Sequence, residues 1–290
     1  MERLRVRVND VELEVNQYPR NGQTVLFLHF SSGNLAQWNG IVPYFMDRYH
    51  VVTLDLRGHG KSDKPKTGYT VDNMAKDVVE VMNHLGIAKA HIVGSSLGGE
   101  IALSLAANHT ERILSIVAEG GIQNYFGENG VHDLAEEEVA HKKAELRAKK
   151  QDYPRYDTNS EKVEAEQLYF EQCNVQWNQQ VEEFNRYNTT ETEDGRYTYS
   201  TPKWVMDAYL EDFWDLKFEK YFERITCPVL MLPSEEELET ESMKASIEHY
   251  VKLLKVSKVV SIPGGSHAYV AFQYPQEFSQ EILDFYIHMT

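Results

Sequence analysis

The residues in this sequence best suited to chemistry form the pattern G-x-S-x-G, at Gly94-Ser95-Ser96-Leu97-Gly98. A β-branched apolar run precedes the pattern, and a helix-forming run from Glu100 to Ala107 follows it. A turn from strand to helix in so few residues forces the central residue into a strained backbone conformation and exposes its side chain. The small residues on either side allow the two backbones to approach each other. The pattern therefore predicts that Ser96 is a nucleophile at a helix N-terminus, where N–H groups favour negative charge.

A serine hydroxyl is a weak nucleophile at neutral pH, so it needs a base, and the base needs an orienting group. The histidine best placed for this role is His267, in the segment Pro263-Gly264-Gly265-Ser266-His267-Ala268. This segment lies between the last predicted strand and the last predicted helix. Because loops at the carboxyl ends of parallel strands gather at one edge of the sheet, we predict that His267 takes the proton of Ser96.

Carboxylates that could orient His267 follow two of the predicted strands. Glu119 directly follows one apolar run, and Glu235-Glu236-Glu237 follow another. Both positions lie between Ser96 and His267, which is the chain order expected for a triad built on this kind of turn. The residues alone leave Glu119 and the three consecutive glutamates open, with no more than one of the three functional.

Hydrolysis of an acyl group also requires two backbone N–H groups that point at the oxyanion of the tetrahedral intermediate. Leu97, directly after the predicted nucleophile, is expected to supply one of them. The other is assigned to Ser31, in the loop His29-Phe30-Ser31-Ser32-Gly33 that follows a predicted strand. The side chains of Phe30 and Trp38 are predicted to contact the substrate.

Strands and helices alternate along most of the chain, and this pattern predicts a mainly parallel sheet with helices on both faces. The predicted strands are an edge hairpin over Arg3 to Val15, then Thr24 to Leu28, His50 to Leu54, the run before Ser96, Ile113 to Ala118, Pro228 to Leu232 and Val256 to Ile262. The predicted helices cover Val71 to Leu85, the run that ends near Ala107, Glu241 to Leu254 and Pro275 to His288.

The alternation stops between residues 121 and 224, where a polar and mostly helical segment carries ten of the chain's 16 net negative charges. Sixteen of the 33 aromatic residues lie between Tyr153 and Phe222. A helical insert with so many aromatic residues has a face to bury, most of it by its own packing, and the remainder is available to cover an apolar pocket. We therefore predict a core domain over 1–120 and 225–290 and a helical cap over 121–224.

Composition and charge argue against several classes of function. The net charge of −16 and the isoelectric point of about 5.1 argue against nucleic acid or an anionic membrane as a partner, and mildly disfavour anionic substrates. No apolar run reaches the length of about 18 residues that a membrane span needs. The start of the chain does not have the pattern of a signal peptide. Cys173 and Cys227 have no metal-site or redox spacing, so we expect free thiols and a cytoplasmic protein.

Taken together, the motifs resemble those of the α/β-hydrolase superfamily over nearly the whole chain outside the insert. They are the loop led by His29, the segment Asp55-Leu56-Arg57-Gly58-His59-Gly60-Lys61-Ser62-Asp63, the turn at Ser96, the run Thr226-Cys227-Pro228-Val229-Leu230, and Gly264 to His267. The resemblance implies an α/β fold with a mostly parallel central sheet flanked by helices. It also implies that the helical cap follows the sixth strand.

The resemblance also bears on which carboxylate orients His267 as the acid of the triad. Members of the superfamily most often carry it three residues after a glycine beyond the seventh strand, and Ser234 stands at that glycine position here. Glu237 then aligns with the acid, 30 residues before His267. A minority place the acid after the sixth strand, which corresponds to Glu119. Phe30 stands where the family's His-Gly form has glycine, which implies a narrower pocket or a distorted oxyanion hole.

These features together predict a serine hydrolase, most specifically a carboxylesterase for small to medium uncharged acyl esters, with no metal or organic cofactor. Related chemistries of the same triad stay open, namely hydrolysis of lactones, amides or carbon–carbon bonds, and acyl transfer. An alternative from another class is a ligand-sensing protein that retains the triad and turns over slowly, since a fold does not determine a function.

Overall fold

The computed structural model describes residues 1–120, 122–128, 130–148 and 151–288. Its strands are β1 (Glu2–Val8), β2 (Val11–Tyr18), β3 (Thr24–Leu28), β4 (His50–Leu54), β5 (Ala90–Ser95), β6 (Ile113–Glu119), β7 (Thr189–Glu191), β8 (Tyr197–Tyr199), β9 (Val229–Leu232) and β10 (Ser257–Val259). Its α-helices are α1 (Val42–Phe45), α2 (Val71–His84), α3 (Leu97–Asn108), α4 (Glu136–Ala148), α5 (Asn159–Gln172), α6 (Gln179–Tyr187), α7 (Lys203–Phe213), α8 (Glu219–Phe222), α9 (Glu235–Glu239), α10 (Glu241–Leu253), α11 (Val270–Gln273) and α12 (Pro275–His288). None of the helices within these ranges has the length and apolar character needed to cross a membrane.

Eight strands form one sheet in the order β1-β2-β4-β3-β5-β6-β9-β10. The β1–β2 hairpin pairs antiparallel with β4, and all pairings from β4 to β10 are parallel. The predicted mostly parallel sheet is therefore confirmed. In the sheet, β4 lies on one side of β3 and β5 lies on the other. The loops after β3 and β5 therefore lead away in opposite directions. In open α/β sheets, such a reversal leaves a crevice at the carboxyl ends of the strands.

Continuous apolar runs form the central strands because helices cover both faces of the sheet. Every residue of β3 and of β5 is buried. Alternate residues of β3 enter two different clusters, with Leu26 and Leu28 on one face and Val25 and Phe27 on the other. This two-sided burial holds the carboxyl ends of the strands in place, where the candidate site lies.

Three details differ from the sequence prediction. The last strand covers only Ser257–Val259, because β10 is an edge strand that pairs with β9 alone. The insert contains the small antiparallel pair β7–β8 besides its helices. The run of glutamates after β9 is helical as α9, since Ser234 caps the start of that helix.

The segment between β6 and β9 packs partly on its own residues and partly against the rest of the molecule. Val205 and Tyr209 of α7 belong to the same apolar cluster as α2 and α3. Phe170 and Phe184 share a second cluster with Phe272, which lies outside the insert. By contrast, α4 has no buried residue. Much of the insert's aromatic content therefore attaches it to the core.

Candidate active site

Ser96 connects the end of β5 to the start of α3 in a conformation that favours glycine, with φ of 50° and ψ of −115°. The two flanking glycines make this turn possible. A Cβ atom on Gly94 would lie 2.1 Å from the carbonyl oxygen of Gly98, and one on Gly98 would lie 2.2 Å from that of Leu28. The Ser96 N–H donates to the carbonyl of Glu119 at 2.8 Å. The turn is therefore fixed by backbone contacts to two neighbouring strands.

His267 lies between β10 and α11, and its Nε2 atom is 3.1 Å from Ser96 Oγ. Its imidazole packs on Gly120, which directly follows β6. A Cβ atom on Gly120 would lie 2.7 Å from His267 Cε1, and the φ of Gly120 is +89°. Gly120 therefore provides both the backbone turn and the space that the ring needs.

Glu237 reaches the other nitrogen of the ring, with Oε1 2.6 Å from His267 Nδ1. Its second oxygen accepts a hydrogen bond from the Ser234 N–H at 2.7 Å, and the Ser234 hydroxyl accepts one from the Glu237 N–H at 3.2 Å. These reciprocal bonds form a capping box at the start of α9. The cap orients the carboxylate toward His267, and Glu237 is only 8% exposed.

The other carboxylates considered for the acid have different partners. Glu119, 1% exposed, accepts a hydrogen bond from the hydroxyl of Ser95. Glu235 accepts the N–H of Gly264 at 3.0 Å, in the loop that leads to His267. Among the described residues, the carboxylate that contacts the ring is that of Glu237, and the role of triad acid stays a prediction.

Charges around His267 favour its protonated form. Burial disfavours the imidazolium, but the hydrogen bond and charge of Glu237, followed by the charges of Glu119 and Glu100, outweigh it and raise the pKa of His267. Burial raises the pKa of Glu119 to about 7, opposed by the positive charge of His267 and by the hydrogen bond from Ser95. Two buried carboxyl groups therefore act on the histidine, Glu237 through a hydrogen bond and Glu119 through its charge.

The backbone N–H groups of Leu97 and Ser31 lie at the ends of the two loops that diverge from β5 and β3. Leu97 is the first residue of α3. The loop that carries Ser31 is closed by a hydrogen bond from Gly33 N–H to the Phe30 carbonyl at 3.0 Å. Within the described part of the chain, neither N–H group donates a hydrogen bond to protein. Both are thus free to donate to an oxyanion, and their assignment stays a prediction.

A cavity of about 250 Å³ lies beside these loops. Phe30, next to Ser31, and Tyr269, two residues after His267, are part of its wall and pack edge to face, with ring centroids 5.8 Å apart. The insert supplies most of the remaining wall, namely Tyr153, Pro154, Glu166, Tyr169, Phe170, Phe184, Asn188 and Tyr199. Phe30 therefore lines this cavity, whereas Ser96 and His267 are not among its lining residues, and contact of Phe30 with a substrate stays a prediction.

Trp38 lies elsewhere, which corrects the expectation that it contacts substrate. Its side chain is fully buried in the core, between the rings of Phe27 at 5.1 Å and Phe278 at 6.1 Å. The residue is part of a short 3-10 helix, Leu35–Trp38, whose four residues are all buried. An amphipathic aromatic residue that is close in sequence to a site can thus face the core rather than the site.

A third buried carboxyl group, Glu100 in the first turn of α3, connects the core to the insert. The hydroxyl of Tyr209, from α7, lies 2.9 Å from each of its two oxygens. Burial raises the pKa of Glu100 to about 8, against the hydrogen bond from Tyr209 and the charge of His267, which lower it. Among the described residues, no cluster of three or more His, Cys, Asp or Glu side chains is arranged to hold a metal ion.

Sequence reasoning missed Gly120, Ser95 and the capping role of Ser234. One of these had a recognisable signal, since Ser234 and Glu237 have the S-x-x-E spacing of a capping box. Gly120 had no signal in the sequence beyond its being a glycine close to the end of a predicted strand. The bond from Ser95 to Glu119 depends on the pairing of β5 with β6, which local sequence does not specify.

The family model for the alpha/beta hydrolase fold matches residues 23–268. This chain belongs to the α/β-hydrolase family. The match includes the turn at Ser96, the loop of His267 and the whole segment between β6 and β9. The family predicted from the sequence motifs is therefore confirmed.

Similar proteins differ in the substrates for which they are named. This α/β hydrolase is 39% identical over 117 residues to a putative carbamate hydrolase RutD of Caulobacter segnis, covering 39% of this chain and 44% of that protein. It is 33% identical over 114 residues to a 2-(acetamidomethylene)succinate hydrolase of Mesorhizobium japonicum, covering 39% and 41%. The aligned region thus spans less than half the length of each relative. A crystal structure of an E-2-(acetamidomethylene)succinate hydrolase has a TM-score of 0.77 at 23% identity, covers 98% of each chain, and shows a shared fold.

Proposed function

We propose that this protein is a serine hydrolase of the carboxylesterase type, with Ser96, His267 and Glu237 as its catalytic triad. The observation that carries the proposal is the continuous contact from Ser96 Oγ to His267 Nε2 at 3.1 Å and from His267 Nδ1 to Glu237 at 2.6 Å. A nucleophile, a base and an orienting carboxylate in this order can activate a hydroxyl at neutral pH.

In the proposed reaction, His267 accepts the proton of Ser96 while Oγ bonds to the acyl carbon. The N–H groups of Leu97 and Ser31 stabilise the oxyanion of the tetrahedral intermediate. The imidazolium, stabilised by Glu237, then protonates the departing alcohol as its bond to the acyl carbon breaks. Water then hydrolyses the acyl-enzyme: His267 takes a proton from water as the water oxygen bonds to the acyl carbon. The bond between the acyl carbon and Ser96 Oγ breaks, the carboxylic acid is released, and His267 returns the proton to Ser96.

The cavity supports a small to medium acyl group without charge. Its volume of about 250 Å³ limits the size, and its wall is rich in aromatic side chains. Glu166 also contributes to the wall, is almost completely buried and accepts a hydrogen bond from the Tyr199 hydroxyl. The insert, which supplies most of this wall, would act as the lid of the site.

The test is hydrolysis of p-nitrophenyl esters with acyl chains of two to eight carbons, combined with labelling by an organophosphate. We expect wild type to hydrolyse the shorter esters and to gain one label, and Ser96→Ala to do neither. Ser242→Ala, in the first turn of α10, serves as the matched serine control and should behave like wild type. Equal rates and labelling in wild type and Ser96→Ala would refute the enzyme hypothesis.

A second candidate is cleavage of a carbonyl–nitrogen bond by the same residues. Both curated relatives described above are named for compounds of that kind, a carbamate and an acetamido compound. Matched ester, amide, carbamate and lactone substrates with one common acyl part would rank the bond types by kcat/KM. A preference for a nitrogen leaving group would replace the esterase assignment but retain the triad.

The third candidate, a slow ligand-sensing protein, is favoured by Phe30. Its ring lies beside the predicted oxyanion loop and packs against Phe184 of the insert, with centroids 5.7 Å apart. A sensor would show one rapid acylation followed by negligible turnover, with a ligand-dependent change in proteolysis of the insert. Steady multiple turnover would rule it out.

A further inference from the structure

Next to the aromatic cavity lies a larger groove of about 660 Å³. Tyr153 and Tyr199 form part of the wall of both, and their rings pack together with centroids 4.9 Å apart. The two cavities are therefore adjacent, with this pair of rings at their common boundary. The opposite wall comes from the core loop that contains Lys61 and Lys64.

The charge of the groove is opposite to that of the protein. Four cationic side chains line it, and Asp152 is the one acidic residue among its described lining residues. The whole chain, in contrast, has a net charge of −16. The cationic residues are Lys61, Lys64, Arg155 and Lys203. A local concentration of one sign in a concave site focuses the field on ligands of the other sign.

Two of these cations have no carboxylate within salt-bridge distance among the described residues, and Asp55 and Asp63 act on Lys64 only through their charge at longer range. Lys203 pairs with Asp207, and Arg155 pairs with Asp194 at 3.4 Å. Lys64 instead donates to two backbone carbonyls of its own loop, those of Gly60 at 2.8 Å and Ser62 at 3.0 Å. An ammonium group has three N–H donors, so this arrangement holds the Lys64 charge in position with one donor remaining.

Lys61 is positioned by an aromatic ring. Its Nζ atom lies 4.3 Å from the centroid of Tyr187, another residue of the groove wall. The Tyr187 hydroxyl donates a hydrogen bond to the fully buried carboxylate of Asp55. The same carboxylate accepts a hydrogen bond from the backbone N–H of Lys61. The two lysines thus lie on a loop that buried hydrogen bonds hold in place.

We propose that this groove binds an anionic group, a carboxylate or a phosphate, carried by the substrate at the end away from the scissile bond. The inference rests on the proposed esterase function and makes its substrate class more specific. The part of the substrate next to the scissile bond is uncharged and lies in the aromatic cavity, and the anionic end contacts Lys61 and Lys64. The expectation that anionic substrates are disfavoured came from net charge alone, and the groove is a local exception to that net charge.

The experiment compares two esters of equal length, the mono-4-nitrophenyl ester of suberic acid with a free terminal carboxylate and the same compound with a terminal methyl ester. For wild type, we expect kcat/KM to be about tenfold higher for the anionic ester, the size of one charge-assisted hydrogen bond. Lys61→Gln/Lys64→Gln should remove this preference mainly through KM. Lys89→Gln, an exposed lysine outside the groove, is the matched charge control and should retain it. The single variant Lys61→Gln, at an exposed position, gives the same comparison if the double variant folds poorly.

Binding of an anionic ester to the Ser96→Ala variant can be measured without turnover. This measurement therefore tests the groove separately from the proposed esterase function. Calorimetric titration with suberate monomethyl ester should show binding that weakens with salt and is lost when Lys61→Gln/Lys64→Gln is added. Inorganic phosphate and acetate, titrated alone, test a free-anion site. If they bind through the lysines and the anionic ester has no advantage, the groove is not a substrate site and the proposal fails. Equal affinity with and without the lysines also refutes it, whereas loss of ester hydrolysis with retained anion binding refutes only the esterase function.

Discussion

The ends of strands β6 and β9 provide the most informative comparison in this molecule. The two strands are neighbours in the sheet. A glutamate, Glu119, ends β6, and another, Glu237, lies in the first turn of the helix that follows β9. After β6 the chain turns at once through Gly120, and the carboxylate of Glu119 stays buried against Ser95. After β9 the chain enters α9, whose cap holds Glu237 against the histidine ring. The same residue type thus acquires two different environments from the backbone that follows it.

The largest effect should come from exchanging Glu237 for its amide. Glu237→Gln removes the charge that stabilises the imidazolium and accepts the Nδ1–H, so kcat/KM should fall by about 10³- to 10⁴-fold. Steady-state kinetics on a short p-nitrophenyl ester measures this change. If Glu119→Gln causes the large loss and Glu237→Gln does not, the triad acid is Glu119, at the end of β6.

Gly120→Ala tests the other strand end by steric means. A Cβ atom there would lie 2.7 Å from Cε1 of His267, and displacing the ring by about 1 Å should cost about 100-fold in kcat. Gly86→Ala is a suitable control, because Gly86 also has a positive φ but no atom within 4 Å of the added Cβ. Equal losses in both variants would mean that backbone strain, rather than contact with His267, is responsible.

Glu119→Gln should have a smaller effect, on pH dependence. The negative charge of Glu119 raises the pKa of His267, so its removal should move the acidic limb of the kcat/KM profile to lower pH. The pKa of Glu119 is itself raised to about 7, so the contribution of its charge develops as the pH rises through that value. A profile identical to that of wild type would show that Glu119 does not influence the histidine.

Ser234→Ala tests the cap that positions Glu237. Loss of an N-cap hydroxyl costs about 1 kcal/mol in the free energy of unfolding, and we expect a fall of a few fold in kcat. Ser234→Thr retains the hydroxyl and should recover both quantities. If Ser234→Ala lowers stability but not kcat, the cap supports α9 without orienting the carboxylate.

The smallest effect on turnover is expected for Glu100, and its readout is stability. Because its pKa is raised from 4.5 to about 8 in the folded protein, the folded state holds its proton more tightly than the unfolded state. The contribution of the Glu100 proton to the free energy of unfolding is complete below pH 4.5 and is lost as the pH rises toward 8. Denaturant unfolding of wild type and Glu100→Gln at pH 5 and pH 8 should show the wild type losing more stability than the variant. The opposite trend would mean that Glu100 is ionised when folded.

Much of the fold could be predicted because its signals are local. The runs at β3 and β4 are mostly apolar and mostly buried, and α2 has both an amphipathic pattern and a Thr70 cap that accepts the Asn73 N–H. The β7–β8 pair was not predicted, since three-residue strands have little pattern. The burial of Trp38 was also missed, because its aromatic neighbours come from β3 and α12, far apart in the sequence.

The sequence by itself determined the family, the central parallel sheet and the strained turn at Ser96, because glycine spacing and continuous apolar runs act over a few residues. It also restricted the candidates for the triad acid to glutamates that follow two of the strands. Only the tertiary structure decided which of them contacts His267, since that depends on the directions in which α9 and Gly120 lead the chain away from adjacent strands. The groove of lysines was likewise invisible, because Lys61 and Lys64 meet Arg155 and Lys203 only when the insert folds back over the core.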